Sequence, residues 1–269
     1  MIKMILCDMD GTLLDDERKL PPDFDEIMGI LKERGVLFVP ASGRQYTAIV
    51  NQMPQYKDDF AFVSENGAIA MYKGESVFSS PISPGAVRKL LRRTAKHSNI
   101  YPVLCGKQKV YVEVKWRPYL SELTEFLNEY EFVDSLMEMT RREEIIKIAF
   151  ADCESSRAEE TLLPVIQESA PQGMKVVLSS SYWVDVLNDG VHKGTALRHL
   201  MARFNIRRDE CAAFGDYIND IEMLKTVKYG YAVANAHPEV IKAVNLFAPA
   251  NNKNGVMRTI RRLIEVGLV

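Results

Sequence analysis

Two aspartates, Asp8 and Asp10, follow the apolar run Ile2 to Cys7 and precede Gly11-Thr12-Leu13. The run has the length and composition of a buried parallel strand, and Gly11 marks where the backbone turns away from it. Residues two apart in extended chain point the same way, about 6.6 Å apart at roughly 3.3 Å per residue. Both carboxylates can therefore face one small ligand at a strand's carboxyl end, the edge where open α/β sheets bind ligands. Carboxylates held together repel, which either separates their pKa values or places a cation between them. One can stay ionised as nucleophile or metal ligand. Its neighbour, raised from about 3.9 toward neutrality, can then serve as general acid and base. The Thr12 hydroxyl and the open Gly11 backbone suit a bound anion.

Spacing alone is a weak signal: fifteen Asp in 269 residues give roughly one such pair by chance. Asp23 and Asp25 share the spacing, but they follow Pro21-Pro22 and precede Ile27, Ile30 and Leu31 at helical intervals. They read as first-turn acids that complement a helix dipole. The strand before Asp8 and the Gly-Thr after Asp10 make the difference.

Three further stretches carry chemistry. Pro40-Ala41-Ser42-Gly43-Arg44 ends a second apolar run, where a hydroxyl and backbone N–H groups can meet a phosphate, although Ser-Gly is also plain turn chemistry. Lys193 precedes a helix opened by Gly194-Thr195, where an ammonium can meet an anion across the strand ends; a lone lysine is more often a surface residue. Gly215-Asp216-Tyr217-Ile218-Asn219-Asp220 follows a third buried run, and its acids can be ligands or helix-start caps. Asn66 in Glu65-Asn66-Gly67 reads first as a turn residue. His192 reads as a surface or capping residue.

These residues need elements to hold them. At 269 residues the chain exceeds a usual single domain, and its 47% hydrophobic content can fill a core. Net charge is −2, so no global positive field recruits nucleic acid or anionic membrane. The clusters Arg88-Lys89, Arg92-Arg93 and Arg141-Arg142 read as solvated helix faces. Cys7, Cys105, Cys153 and Cys211 are dispersed, which argues against a disulfide framework or thiolate metal site and for reduced thiols in the cytoplasm. No apolar run approaches ~18 residues, so neither a membrane span nor a signal peptide is expected.

In order, the pattern predicts a helix from Pro22 to Arg34 stopped by Gly35, then a strand at Val36 to Val39 and a helix from Tyr46. Strands follow at Phe60 to Val63, Ile69 to Tyr72 and Ser76 to Ser79. The Pro- and Ser-rich stretch Ser80 to Pro84 is a linker. Beyond it lies an α/β block. Its expected helices are Pro84 to His97, Pro118 to Asn128 and Ser155 to Ser169. Its expected strands are Tyr101 to Leu104, Val110 to Val114, Ile145 to Phe150, Lys175 to Ser179 and Trp183 to Leu187. Helices between antiparallel hairpins suggest an α+β sandwich. The remaining chain predicts helix 194 to 204, strands before Gly215 and at Tyr229 to Val233, and helices ending at Ala243 and covering Met257 to Val266.

Asp8-Met9-Asp10-Gly11-Thr12-Leu13 resembles the first motif of the haloacid dehalogenase superfamily, whose members are mostly Mg-dependent phosphatases working through an aspartyl phosphate. Ser42-Gly43-Arg44 is similar to the second motif, where many relatives read Thr-Gly-Arg. Lys193-Gly194 resembles the third, and Gly215-Asp216-x-x-Asn219-Asp220 the fourth. Relatives usually carry Ser or Asn where Tyr217 stands, which opens the question of that loop's contacts. Glu65-Asn66-Gly67-Ala68, Asn235-Ala236-His237-Pro238 and Asn251 to Val256 look like features of the Cof-type sugar-phosphate phosphatases. The resemblance covers nearly the whole chain.

It implies an α/β fold, with a Rossmann-like doubly wound parallel core (residues 1–81 and 189–269) and an inserted α+β cap of type IIB (82–188). It also implies hydrolysis of a small phosphorylated metabolite. Asp8 would be nucleophile, Asp10 acid and base. Asp8, Asp216 and the Asp10 carbonyl would ligate Mg²⁺, which suits hard oxygen donors beside an exchanging phosphate. Ser42, Gly43, Lys193 and Asn219 would bind phosphate, and Asp220 would orient Lys193 or a metal-bound water. The cap would select the leaving group, with Gly106 to Lys109 and Ser179 to Trp183 as candidate contacts; Tyr182 and Trp183 would stack on a ring or lie in a core. Three rivals stay open: a phosphomutase using the same intermediate, a two-component receiver, and a catalytically silent phospholigand-binding regulator. Asp10 and the inserted cap argue against a receiver, which needs no leaving-group acid. Oligomeric state has no signature in the sequence.

Overall fold

The apolar run before Asp8 forms β1 (Met4–Asp8), and all five of its side chains are buried, as a strand covered on both faces requires. A computed structural model describes residues 1–119, 130–152, 157–179 and 182–269 of the chain. In order, the remaining strands are β2 (Leu37–Ala41), β3 (Ala61–Ser64), β4 (Ile69–Tyr72) and β5 (Glu75–Ser79), then β6 (Tyr101–Gly106), β7 (Val110–Glu113), β8 (Glu131–Val133) and β9 (Ile145–Ala151). These are followed by β10 (Met174–Leu178), β11 (Trp183–Asn188), β12 (Cys211–Gly215), β13 (Tyr229–Val233) and β14 (Leu246–Ala248). The chain divides into two compact units: Met1–Phe78 with His192–Val269, and Ser79–Val191.

The first unit carries an eight-stranded sheet in the order β14-β13-β12-β1-β2-β3-β4-β5. From β14 to β3 neighbouring strands are parallel, and β4 runs antiparallel to β3. The chain leaves β1 for β2 and β3 on one side and returns to β12, β13 and β14 on the other. Strand order therefore reverses at β1, and a crevice opens at the carboxyl ends there. Cys7 pairs with Phe214 and Asp8 with Ala41, so the ends of β12, β1 and β2 stand level. This is the Rossmann-like α/β core.

Local sequence explains the elements that brace it. The first helix runs from Phe24 to Glu33, two residues later than the pattern predicted, because Pro21-Pro22 leaves Asp23 at the cap position. Phe24, Ile27, Met28 and Leu31 are buried at spacings of three and four, and Asp25 and Glu26 occupy the first turn. Gly35 at φ +68° ends it: Gly35 N–H donates to Lys32 O (3.0 Å) and Val36 N–H to Leu31 O (2.9 Å), a Schellman closure. The Phe24 ring packs edge-on against Phe38, Tyr56 and Phe60, at 5.9, 5.6 and 6.3 Å between centroids.

The second unit is α+β. Its six-stranded sheet has the order β10-β11-β9-β6-β7-β8, antiparallel except for β7 with β8. The helix Pro84–Thr94 opens with Pro84 and a cap in which Ala86 N–H donates to the Ser83 hydroxyl (3.3 Å). It buries Val87, Leu90 and Leu91 over the sheet with Ile148, Phe150, Ile166 and Val186. Its basic face is used: Arg88 donates to the Thr140 hydroxyl (3.0 Å) and Arg93 to Ser169 O (2.9 Å). Lys147 on β9 and Asp185 on β11 form a buried pair at 3.3 Å. The turn Gly106 to Lys109 folds onto the Glu143 carboxylate, which accepts from the N–H groups of Gln108 and Lys109 and from the Tyr111 hydroxyl. Trp183 is buried at the start of β11, on the core side of the two readings its position allowed.

Several elements differ from the pattern. The strand β8, the helix Leu136–Arg142 and β14 are too short for periodicity to register. The helix expected from Ser155 is split in its described part into Ala158–Thr161 and Leu163–Ser169, since Pro164 lacks an N–H and disfavours helix before it. The helix expected at Pro118 to Asn128 lies outside the described residues past Tyr119, as do Cys153 and residues 180–181. Cys7, Cys105 and Cys211 are buried, and Cys7 and Cys211 are free thiols. No described helix is long and apolar enough to cross a membrane.

Phe24 fastens the helix beside β2, so Phe24→Ala should lower folding stability by about 3–5 kcal/mol, the usual cost of emptying a buried aromatic site. Urea denaturation would register this as a lower midpoint at unchanged slope; a midpoint within error of the parent would refute the packing account.

Candidate active site

Four chain segments meet where the strand order reverses. Asp8 ends β1, Ser42 follows β2, Asp216 follows β12, and Lys193 begins the helix Lys193–Phe204. Lys193 is completely buried and Asp8 is 6% exposed. The Lys193 ammonium donates to Asp8 Oδ1 and, at 2.7 Å, to Asp220 Oδ1. Asp220 turns its second oxygen to the backbone N–H groups of Asp216 (3.1 Å) and Tyr217 (3.2 Å). The Thr12 hydroxyl donates to Asp216 Oδ1 at 2.7 Å. Carboxylate oxygens of Asp8, Asp216 and Asp220 lie within 4.8 Å of one another.

One ammonium cannot satisfy three carboxylates. Burial, then the neighbouring Asp220 and Asp216, push the Asp8 carboxyl well above the usual range against the pull of Lys193. Burial raises Asp216 as well, opposed by the Thr12 hydrogen bond. Burial alone would depress the Lys193 ammonium, but Asp220 and Asp8 together override it and make it harder to deprotonate than a free lysine. With all three acids ionised the cluster carries −3 + 1 = −2. Like charges at 4 Å repel by about 4 kcal/mol at an effective dielectric of 20, so the cluster has an excess of negative charge that could hold a metal ion. Asp220 has both oxygens engaged, on Lys193 and on the backbone, whereas the hydrogen bonds from Lys193 to Asp8 and from Thr12 to Asp216 engage one oxygen each.

Several glycines make the approach possible. Gly11 has φ +78°, and a Cβ there would sit 2.5 Å from Asp216 Oδ2. A Cβ on Gly67 would sit 2.3 Å from the His192 carbonyl, immediately before Lys193. Glu65, Asn66 and Gly67 take positive φ in succession (50°, 54° and 91°), a concentration of strain of the kind found at functional sites. Pairing of Ser64 with Ile69 makes this loop longer than a two-residue Asn-Gly hairpin.

The loop also frames Ser42 and Gly43. Asn66 N–H donates to Ser42 O (3.1 Å), Glu65 N–H to Arg44 O (3.0 Å), and Asn219 Nδ2 to Asn66 Oδ1 (3.0 Å). A Cβ on Gly43 would meet the Asn66 amide at 3.1 Å. Ser42, Gly43, Asn66 and Asn219 therefore form one side of the crevice. Asn66 does more than turn the chain.

Asp10 takes different partners from Asp8. Its carboxylate is 48% exposed and accepts from Arg44 Nε at 2.8 Å and from Arg44 Nη2. The two acids expected to face one ligand thus have different partners, Asp8 in a buried cluster and Asp10 on a partly buried guanidinium. Asn235 Nδ2 donates to Gly11 O (2.7 Å), and Asn251 N–H donates to Asn235 Oδ1 (3.0 Å). Asn251 Nδ2 reaches Leu14 O (3.1 Å) and Asp16 Oδ1 (3.0 Å). Arg44, Asn235 and Asn251 had no assigned role from sequence. The only hint was that all three lie in stretches resembling family features.

Tyr217 raises no conflict. Its ring is 56% exposed and stands edge-on to His237 at 5.6 Å, while the backbone keeps its bond to Asp220. His192 precedes the helix, and its carbonyl accepts from Thr195 N–H at 2.8 Å.

Residues 5–260 match the model of the haloacid dehalogenase-like hydrolases. An Escherichia coli 5-amino-6-(5-phospho-D-ribitylamino)uracil phosphatase is 29% identical over 270 residues, covering 98% of this chain and 97% of that protein. Among solved structures, a Streptococcus mutans protein is similar at TM-score 0.83 and 29% identity, covering 98% of this chain and all of that one. A Thermotoga maritima protein is similar at TM-score 0.83 and 25% identity, covering 97% of each chain. A family match over almost the entire chain, joined to an acid cluster at the switch point of the sheet, leaves one conclusion. This protein belongs to the haloacid dehalogenase-like hydrolase family.

Proposed function

We propose that the chain is a Mg²⁺-dependent phosphatase that hydrolyses a small phosphate monoester through an aspartyl phosphate on Asp8. The observation that carries this reading is the buried cluster of Asp8, Asp216, Asp220 and Lys193, whose charge deficit suits a divalent cation and whose ammonium touches the nucleophile. Asp8, Asp216 and the Asp10 carbonyl would hold Mg²⁺, which when bound offsets carboxylate charge and polarises a phosphoryl oxygen.

Asp8 attacks phosphorus, the bond from phosphorus to the leaving oxygen breaks, and Asp10 delivers its proton to that oxygen. Asp10 then takes a proton from water, which attacks the phosphorus of the aspartyl phosphate. The acyl-phosphate P–O bond breaks, giving inorganic phosphate and free Asp8. Lys193, Ser42 and Gly43 stabilise the charge on the transferring group, with Asn219 beside them. Asp220 positions Lys193. Residues 82–188 are assigned as the cap that discriminates leaving groups, because the core residues named are engaged with phosphoryl chemistry. The Escherichia coli relative acts on a phosphorylated ribitylaminouracil. That compound belongs in a substrate screen beside sugar phosphates.

The decisive test is phosphate release from p-nitrophenyl phosphate and a panel of phosphorylated metabolites. Turnover should require Mg²⁺ and stop with EDTA. Complete inactivity with Mg²⁺ across the panel would sink the phosphatase reading, and transfer to a second sugar without net phosphate release would identify a mutase. Asp10→Asn should lower turnover by about 10²–10⁴ while leaving the fold intact, since a placed acid and base contributes that much. Full activity in this variant would remove Asp10 from the mechanism. Gly11→Ala should push the Asp216 carboxylate aside, raising the Mg²⁺ concentration for half-maximal activity by about tenfold or more, as expected when a ligand-orienting contact is lost. An unchanged Mg²⁺ requirement would show that Asp216 does not need that approach.

A further inference from the structure

Outside the buried cluster, a chain of side-chain contacts leads away from Asp10. Arg44 presents the edge of its guanidinium to the Asp10 carboxylate, Nε to Oδ2 at 2.8 Å and Nη2 to Oδ1. Its remaining nitrogen, Nη1, donates to Gln52 Oε1 at 3.4 Å, and Gln52 Nε2 donates to Arg18 O at 3.1 Å. The Arg44 backbone is fixed at both ends, its N–H on the Ser42 hydroxyl (3.2 Å) and its carbonyl on Glu65 N–H. Arg44 is thus held in its main chain by the crevice wall and in its side chain by Gln52.

We propose that Arg44 is a positioning residue for Asp10, and that Gln52 holds Arg44 in register for that task; the assignment rests on Asp10 being the acid and base proposed above. Magnitudes favour orientation over stability. The side chains are 26% and 48% exposed. Exposed pairs contribute little to folding. A two-point fork does, however, fix the plane of a carboxylate whose terminal torsion is otherwise broad, which a single ammonium cannot do. The guanidinium covers one edge of the carboxylate, so the opposite edge is left for the leaving oxygen or the attacking water. Protonated Asp10 can keep one oxygen on Arg44 while the other gives its proton to the departing alkoxide.

This role has a signature that phosphate binding or a structural role would lack. Nitrophenolate departs without help from an acid, whereas a sugar alkoxide needs its proton. With Mg²⁺ and the full chain, kcat/KM would be measured on p-nitrophenyl phosphate and on a hexose 6-phosphate that the wild type turns over. In Arg44→Gln the value should fall about 10- to 100-fold on the hexose ester, part of what a placed acid contributes, and by no more than about 3-fold on the nitrophenyl ester. Arg44→Lys should recover part of the loss, Gln52→Leu should show a smaller loss of the same selectivity, and melting temperatures should stay close to wild type. In an Asp10→Asn background, Arg44→Gln should cost no more than about 2-fold further, because a residue acting through Asp10 has nothing left to act on. Equal losses on both esters, no loss on either, or a full further loss in the Asp10→Asn background would each overturn the proposal. Wild-type silence on every monoester would instead overturn the phosphatase reading, and this assignment with it.

Discussion

A completely buried ammonium shared by two carboxylates sets the geometry on which the rest of the site depends. Lys193 enters from the start of its helix, Asp8 from β1 and Asp220 from the loop after β12. Buried ion clusters rarely repay their desolvation in stability, so their value lies in placement. The placement is demanding. Gly67 must pass the His192 carbonyl with no side chain, and Gly194 must lie on the Glu222 carbonyl, where a Cβ would come within 2.7 Å. Asp220 then ties the ammonium to the Asp216 and Tyr217 amides, so shifting any one of these segments moves all of them.

The charge that Lys193 leaves uncompensated gives the cluster its chemistry. Asp216 is held by Thr12 and lies close against the Gly11 backbone, both from the loop that leaves β1. That loop is fixed in turn by Asn235 and Asn251, which bind its carbonyls at Gly11 and Leu14. Asp8 at the end of β1 and Asp216 just after β12 are thereby kept close enough to repel, an arrangement that could hold a metal ion. The hydrolase family assignment and the local electrostatics point the same way.

How much of this was legible in sequence follows from the range of each contact. Asp8, Asp10, Ser42, Lys193 and Asp216 could be picked out because each sits at an element end with an identifiable chemistry, and the buried strands β1, β2, β12 and β13 announce themselves as apolar runs. What could not be read was pairing. Arg44 meets Asp10 because β2 lies beside β1 in register, and no local pattern states that neighbourhood. Asn235 and Asn251 act on carbonyls 224 and 237 positions away, and their amides resemble any loop residue until the loops are seen together. Asn66 is a turn residue with a further contact of this kind: three successive residues at positive φ turn the chain and place the Asn66 side-chain oxygen where Asn219 Nδ2 donates to it. Short elements such as β8 and β14 fall below the length at which periodicity carries information.

The contrast between Asp8 and Asp10 is the step that connects fold to chemistry. Spacing of two in an extended strand suggests equivalent carboxylates, yet the chain leaves the sheet at Gly11, and burial separates them. In the proposed reaction Asp8, as nucleophile, gains from a buried position in which Lys193 fixes one of its oxygens. In the same proposal Asp10, as acid and then base, gains from the opposite: access to solvent for proton exchange, with its carboxylate held by Arg44. Two carboxylates two residues apart thus sit in two different environments, one against a completely buried lysine and the other half-exposed against an arginine, and the proposed division of tasks rests on that difference.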